Sequence, residues 1–232
     1  MSKTQNNLSF GKISNKWFQA SIKERYSYRF TWMGRPIIQY PTDMLAMQEI
    51  IWKIKPDLII ETGIAHGGSL IYYASLISML GGNHRKIIGI DVDIRAHNRK
   101  AIEEHCMYEK IDLIEGSSIL PQTVAQVKKI AKNHSVILVV LDSNHTHAHV
   151  LEELNLYSLL VTNGSYLVVF DTYIEDLPKN SFPDRPWEVG DNPKTAVFEF
   201  LQNNDRFVID KEIEERLMVT AAPSGYLKCI KN

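Results

Sequence analysis

Hydrophobic and polar positions along this chain switch repeatedly between two periods. Met44, Leu45, Met47, Ile50, Ile51 and Ile54 fall at helical spacing between Pro41 and Pro56. Leu58 to Ile60 is then a short continuous apolar run ending in Glu61. Glycines at 63, 67 and 68 follow, and an apolar helix runs from Ser69 to Leu80, stopped by Gly81 and Gly82. The unit recurs. Lys86 to Ile90 reads as a strand ending at Asp91, Asn98 to His105 as a helix, Ile111 to Ile114 as a strand and Gln122 to Ala131 as a helix. Val136 to Leu141, the longest apolar run, is a strand ending at Asp142. Ala148 to Leu160 is helical with Gly164 beyond its end, and Tyr166 to Phe170 is a strand ending at Asp171. Residues 174–193 hold four prolines and no period, which predicts a long loop. Ala196 to Leu201 is helical, and Arg206 to Asp210 with Leu217 to Ile230 read as a closing hairpin. Residues 1–35 predict a helix and then an irregular stretch around TWMGRPIIQYP.

Continuous apolar strands alternating with helices predict an α/β fold, a mostly parallel sheet covered on both faces. In such sheets ligands bind at the carboxyl ends of the strands, near the point where the strand order reverses. Four strands here end in an acid: Glu61, Asp91, Asp142 and Asp171. Together they mark one rim as a binding edge.

Composition narrows the classes. The 232 residues, 44% hydrophobic and 23% charged, suit a globular protein and exclude wholesale disorder. No apolar run approaches the roughly 18 residues of a membrane span, and the N-terminus lacks the apolar core of a signal peptide. Two cysteines without CxxC spacing predict reduced thiols and a cytoplasmic setting. The net charge is −1, yet residues 1–40 carry seven basic side chains against one acid. That asymmetry predicts an anion-facing arm or a solvated helix. A basic tail on an acidic body argues against nucleic acid. The aromatic residues interleaved in 1–35 are hard to bury on a body already covered by helices, which predicts a homo-oligomer with this arm contributing.

The loop Glu61-Thr-Gly-Ile-Ala-His-Gly-Gly-Ser69 combines glycines, which admit close backbone approach, with a following helix N-terminus that offers free amides to an anion. It matches neither the GxGxxG fingerprint nor a phosphate-binding loop. Asp91 can accept both hydroxyls of a ribose or cap a helix. Glu115-Gly-Ser-Ser118, with Ser117, can edge an adenine or form an ordinary turn. Asp142 and Asp171 end neighbouring strands, so their carboxylates can converge, and two acids with waters suit Mg²⁺ or another hard cation better than zinc. In Asp142-Ser-Asn-His-Thr-His-Ala-His149, His145 lies in the loop above the sheet edge. His147 and His149 fit the first turn of the next helix.

Taken together, WMGRPIIQYPTDM, PDLIIETGIAHGGS, GIDVDIR, LDSNHTHAHVLEELNLYSLLVTNGSYLVVFD and NPKTAVFEFLQNNDRFVIDKEIEERLMVTAAPSGYLK make the chain resemble the cephalosporin hydroxylase/rhamnosyl O-methyltransferase family, from about Trp32 to Lys231. The resemblance implies a Rossmann-like class I methyltransferase using S-adenosylmethionine with a divalent metal beside the sulfonium. Its seven-stranded, mostly parallel sheet would close with a C-terminal antiparallel hairpin. Residues 1–35 would be a basic, aromatic arm and 36–232 the methyltransferase domain. By position, Glu61, Gly63, Ala65, Gly67, Gly68 and Ser69 would hold the methionine part of the cofactor. Asp91 would hold its ribose, Ser117 would sit near the base, and Asp142 would touch both cofactor and metal. Asp142 and Asp171 would bind the metal, and His145 matches a general-base position. Some relatives carry a Glu-Asp pair where this chain has Phe170-Asp171-Thr172. A third ligand would then be water, Thr172 or a more distant acid.

The resulting expectation is a metal-assisted O-methyltransferase acting on a hydroxyl of a sugar, glycoconjugate or natural product. The basic arm would suit a phosphate-bearing acceptor. One alternative is an iron- and oxygen-dependent hydroxylase, recruiting His145, Asp142 and His149. Another is a non-catalytic member of the fold.

Overall fold

The backbone of the computed structural model is described over residues 3–232 and side chains from Phe10 onward; residues 1–2 of the expected arm, and the side chains of residues 3–9, lie outside the described part. After a short hairpin of β1 (Phe30–Trp32) and β2 (Arg35–Ile37), the chain builds a central sheet from β3 (Leu58–Thr62), β4 (Lys86–Asp91), β5 (Ile111–Glu115), β6 (Ile137–Leu141), β7 (Tyr166–Val169), β8 (Phe207–Ile209) and β9 (Tyr226–Cys229). Its seven strands lie in the order β5-β4-β3-β6-β7-β9-β8. The first five are mutually parallel, and β9 runs antiparallel between β7 and β8. β3 and β6 are buried at every position, as befits central parallel strands covered on both faces. One apolar cluster packs on each face. The strand order reverses between β3 and β6, so the loops after these strands face one another across the switch point.

Helices α2 (Pro41–Ile54), α3 (Gly68–Met79), α4 (Ala96–Glu103), α5 (Pro121–Ala131), α6 (His147–Tyr157) and α7 (Pro193–Gln202) follow the predicted pattern. α2 starts on Pro41 and ends on Lys55 in the left-handed region. α7 starts in a capping box built by Asn192 and Thr195.

Two stretches differ from the sequence reading. The expected irregular stretch holds the hairpin of β1 and β2, packed on α3, where Trp32 Nε1 donates to Ser75 Oγ at 3.0 Å. The expected long closing strand from Leu217 is mostly something else. Helix α8 (Lys211–Leu217) precedes it, and pairing begins only at Tyr226, beyond Pro223. The arm helix α1 (Lys3–Lys23) also buries part of its aromatic surface within the chain: Phe18 meets Tyr40 and Tyr173 at ring-centroid distances of 5.1 and 5.3 Å.

Candidate active site

The loop after β3 is shaped by what surrounds it. Gly63 has a positive φ of 87°, and a Cβ there would stand 2.0 Å from the Asp142 carbonyl oxygen. Gly68 opens α3 directly against the Pro36 carbonyl of β2, where a Cβ would stand 2.1 Å away. Arg35 of β2 donates to the His66 carbonyl (Nε at 3.1 Å) and to Asn98 Oδ1 at 3.1 Å, while Asn98 Nδ2 donates to the Ala65 carbonyl at 3.0 Å. The hairpin that sequence reading left irregular therefore clamps the glycine loop. WMGRPIIQYP was its visible signal.

Asp91, at the end of β4, anchors the same loop. Its Oδ2 accepts from the amides of Ile64 at 2.8 Å and Ala65 at 3.3 Å, and its Oδ1 from Asp93 at 3.2 Å. Glu61 lies beneath the loop, fully buried. Its Oε2 accepts from Ser69 Oγ at 2.7 Å, and its Oε1 has no partner among the described residues. Burial, with Asp91 nearby, pushes its carboxyl up to about 8 despite the Ser69 hydrogen bond.

A cavity of about 270 Å³ opens over this loop. Gly63, Ala65, Gly68, Ser69, Asp91 and Asp142 line it. Of the residues expected to hold the cofactor, Glu61, Gly67 and Ser117 are not among those that line it; a Cβ at Gly67 would meet the Ile102 side chain.

Past the switch point, Asp142, His145 and Asp171 converge. One ligand atom from each lies within 4.8 Å of the other two, and His145 Nε2 is 3.2 Å from Asp171 Oδ2. Asp171 adopts a left-handed φ of 58° where the chain turns out of β7. Burial and then the Asp171 charge push the Asp142 carboxyl well above its ordinary value. Burial also raises Asp171, with His145 opposing. Two half-buried acids brought close together suit a hard cation, which offsets both the burial and the repulsion between them. Thr172, one of the residues considered as a third ligand, is buried with its hydroxyl donating to the Pro223 carbonyl at 2.7 Å, and the third group of the cluster is the His145 imidazole.

The other two histidines are structural. His147 Nδ1 meets Thr195 Oγ1 at 2.8 Å and its Nε2 meets Glu199 at 3.1 Å, tying α6 to α7. His149 lies 3.1 Å from Ser118 Oγ and 3.4 Å from Ser143 Oγ, beside the buried Glu153. A cluster of one imidazole and two carboxylates departs from the two-His, one-carboxylate face that the hydroxylase alternative needs.

A second, larger cavity of about 1040 Å³ adjoins the first and shares His145, Asp171, Tyr28, Tyr40 and Tyr173 with it. Its far wall is the loop after β7, whose Trp187 stands edge-on to the His145 ring at 4.7 Å. Tyr28 is one of the aromatic residues of the expected arm, whereas Tyr40, Tyr173 and Trp187 have no local pattern that joins them to the site. Among the described residues no helix is long and apolar enough to cross a membrane.

The site has recognisable relatives. The rhamnosyl O-methyltransferase of Mycobacterium tuberculosis (strain ATCC 25618 / H37Rv) is 30% identical over 217 residues, covering 92% of this chain and 82% of that protein. The Mycobacterium leprae (strain TN) rhamnosyl O-methyltransferase is 31% identical over 221 residues, covering 94% and 90%. A solved structure of CmcI, described as holding Mg and SAM, superposes with a TM-score of 0.62 at 18% identity over 88% of this chain and 78% of that one, and shares the fold. The family model described as Rhamnosyl O-methyltransferase/CmcI matches residues 24–230, all but the two ends of the chain, and this protein belongs to that family of O-methyltransferases.

Proposed function

We propose that this chain transfers a methyl group from S-adenosylmethionine to a hydroxyl of a sugar, glycoconjugate or natural product, with Mg²⁺ or another hard divalent cation at Asp142 and Asp171. The carrying observation is the convergence of Asp142, His145 and Asp171 where the glycine-loop cavity meets the larger cleft. The relatives named as rhamnosyl O-methyltransferases and the CmcI structure holding Mg and SAM support the same chemistry.

When bound, the cofactor supplies an electrophilic methyl group and the cation supplies positive charge beside the acceptor oxygen. The residues do the rest. The first-turn amides of α3 would receive the cofactor's carboxylate, and Asp91, held by the Ile64 and Ala65 amides, would accept its ribose hydroxyls. An alkyl hydroxyl is hardly ionised at neutral pH, so His145 takes its proton, with Asp171 orienting the imidazole. The loop after β7 and Tyr28 line the cleft and would hold an acceptor in place over the site, which makes positioning effective.

Three further parts of the reading have support of their own. The basic end of α1 lines the cleft and suits a phosphate-bearing acceptor. Phe10, Ile13 and Trp17, exposed on one stripe of α1, suit a second copy of the chain, which light scattering would register as a homo-oligomer. Free Cys106 and Cys229 suit the cytoplasm. The central test is calorimetry with S-adenosylhomocysteine, with and without Mg²⁺, beside labelled methyl transfer to a panel of glycosides. Binding of the product cofactor and loss of transfer in EDTA are expected. Absence of binding overturns the whole reading, and full transfer in EDTA overturns its metal part.

A further inference from the structure

The larger cleft has a charge pattern that methyl transfer does not require. Lys23 and Arg25 stand on its α1 wall, and Lys179 and Arg185 on the wall formed by the loop after β7. Among the described residues none of these four cations has a carboxylate within ion-pair distance. The only acid on either wall is Asp184; the other lining acid, Asp171, belongs to the catalytic floor. All four are exposed side chains, and the chain as a whole carries −1, so the cleft is lined by a local positive patch that attracts anions.

The pattern also has a direction. Arg185 lies over the Trp187 ring at 5.2 Å, and Trp187 meets His145 at 4.7 Å. Two ring contacts thus separate a phosphate-grade guanidinium from the catalytic imidazole, with an aromatic face between them. A sugar ring that offers one hydroxyl to His145 and an ester phosphate on its far side reproduces that order.

Building on the methyltransferase reading of the same site, we propose that the acceptor is a glycosyl phosphate or diphosphate. Its sugar lies against Trp187, and its phosphate is held between Lys23 and Arg25 on one wall and Lys179 and Arg185 on the other. A nucleoside and a lipid can each carry such a group, and both share this chemistry.

The test uses the full chain loaded with S-adenosylhomocysteine and Mg²⁺. Calorimetry at low salt compares a free hexose, the same hexose 1-phosphate, a nucleoside diphosphate hexose, and phosphatidylcholine vesicles carrying a polyprenyl phosphate. The phosphorylated probes should bind at least tenfold more tightly than free hexose, and high salt should erode the difference. The Lys23→Gln/Arg25→Gln and Lys179→Gln/Arg185→Gln double variants alter exposed side chains. Each should melt like the parent, keep its affinity for S-adenosylhomocysteine and lose the phosphate preference. Whichever of the nucleotide and vesicle arms is sensitive to the variants identifies the carrier. Equal binding of hexose and hexose phosphate, or a preference that survives both double variants, overturns the proposal while leaving the methyltransferase reading intact. Failure of the parent to bind S-adenosylhomocysteine overturns that reading instead.

Discussion

Gly63→Ala tests how tightly the glycine loop and the catalytic loop are built against one another. A methyl group at position 63 would stand 2.0 Å from the Asp142 carbonyl oxygen, 2.6 Å from its carbonyl carbon and 2.9 Å from Ser143 Cα. All three are backbone atoms, so no rotamer change relieves the clash. The φ of 87° adds strain for any L-residue with a side chain. The left-handed backbone costs about 1–2 kcal/mol and overpacking about 1–3 kcal/mol. For a chain of this size the two together lower the melting temperature by on the order of 10 °C. Relief requires the segment carrying Asp142, Ser143 and His145 to move, and a displacement of about 1 Å in a reacting group costs roughly 100-fold in rate. Gly164→Ala is the control. Its φ is 83°, but a Cβ there meets nothing within 4 Å, so it carries the backbone strain alone. Calorimetric melting and single-turnover methyl transfer on both variants separate the two contributions. If Gly63→Ala melts and turns over like Gly164→Ala, the close packing of the two loops is not what positions the site.

His145→Ala should lower single-turnover transfer by about 10²–10⁴-fold with cofactor affinity kept, whereas His147→Ala, which loses only its Thr195 and Glu199 contacts, should lose thermal stability rather than rate; a normal rate in His145→Ala ends the base role. Asp91→Ala should weaken S-adenosylhomocysteine binding about tenfold or more, from a charge-assisted bond of roughly 1.5–3 kcal/mol. It should also lower the melting temperature, because the Ile64, Ala65 and Asp93 amides lose their acceptor; unchanged affinity by calorimetry would take Asp91 out of the site. Glu61 has a folded-state pKa of about 8 against an ordinary 4.5, so the folded state holds its proton across that window and stability falls as pH rises through it. The slope is at most about 1.4 kcal/mol per pH unit. Asp43, raised to about 6, acts in the same sense but only below that pH. Glu61→Gln should therefore flatten the melting profile between pH 6 and 8 in particular, and an unchanged profile would refute the buried, protonated carboxyl.

The sheet was legible because its central strands say the same thing at every position. LIIET and ILVVL are buried throughout, so their apolar runs need no periodicity to be recognised, and each is closed by residues that break the run. The hairpin at 30–37 was not legible. FTW and RPI are three residues each, mix a proline and an arginine with aromatics, and acquire their meaning from α3 and the glycine loop behind them. α8 is illegible in the sequence for a similar reason. In KEIEERL only Ile213 is buried, too little for a helical period to show. Gly225, where a Cβ would meet the Val169 carbonyl at 2.1 Å, belongs to the turn into β9 and not to a long strand.

The site divides along the same line between local and distant information. Asp142, His145 and Asp171 could be named because strand ends and a short polar run mark them in the sequence. Their burial and their partners could not be, since those depend on residues far along the chain. Asp43 makes the point. In the sequence it is an unremarked acid in the first turn of α2. In the structure it is buried, accepting from Thr220 Oγ1 at 2.5 Å, the Ala221 amide at 2.7 Å and Tyr226 OH at 2.8 Å, and it lines the cofactor cavity beside Asp142. Asp43, Glu61, Asp142 and Asp171 are thus gathered under one cleft, and burial raises the carboxyl of each. Such a concentration of acids works against folding unless protons or a cation offset it. With Lys23, Arg25, Lys179 and Arg185 on the outer walls, these acids set an acidic floor against a basic entrance, the polarity that the proposed glycosyl phosphate acceptor needs.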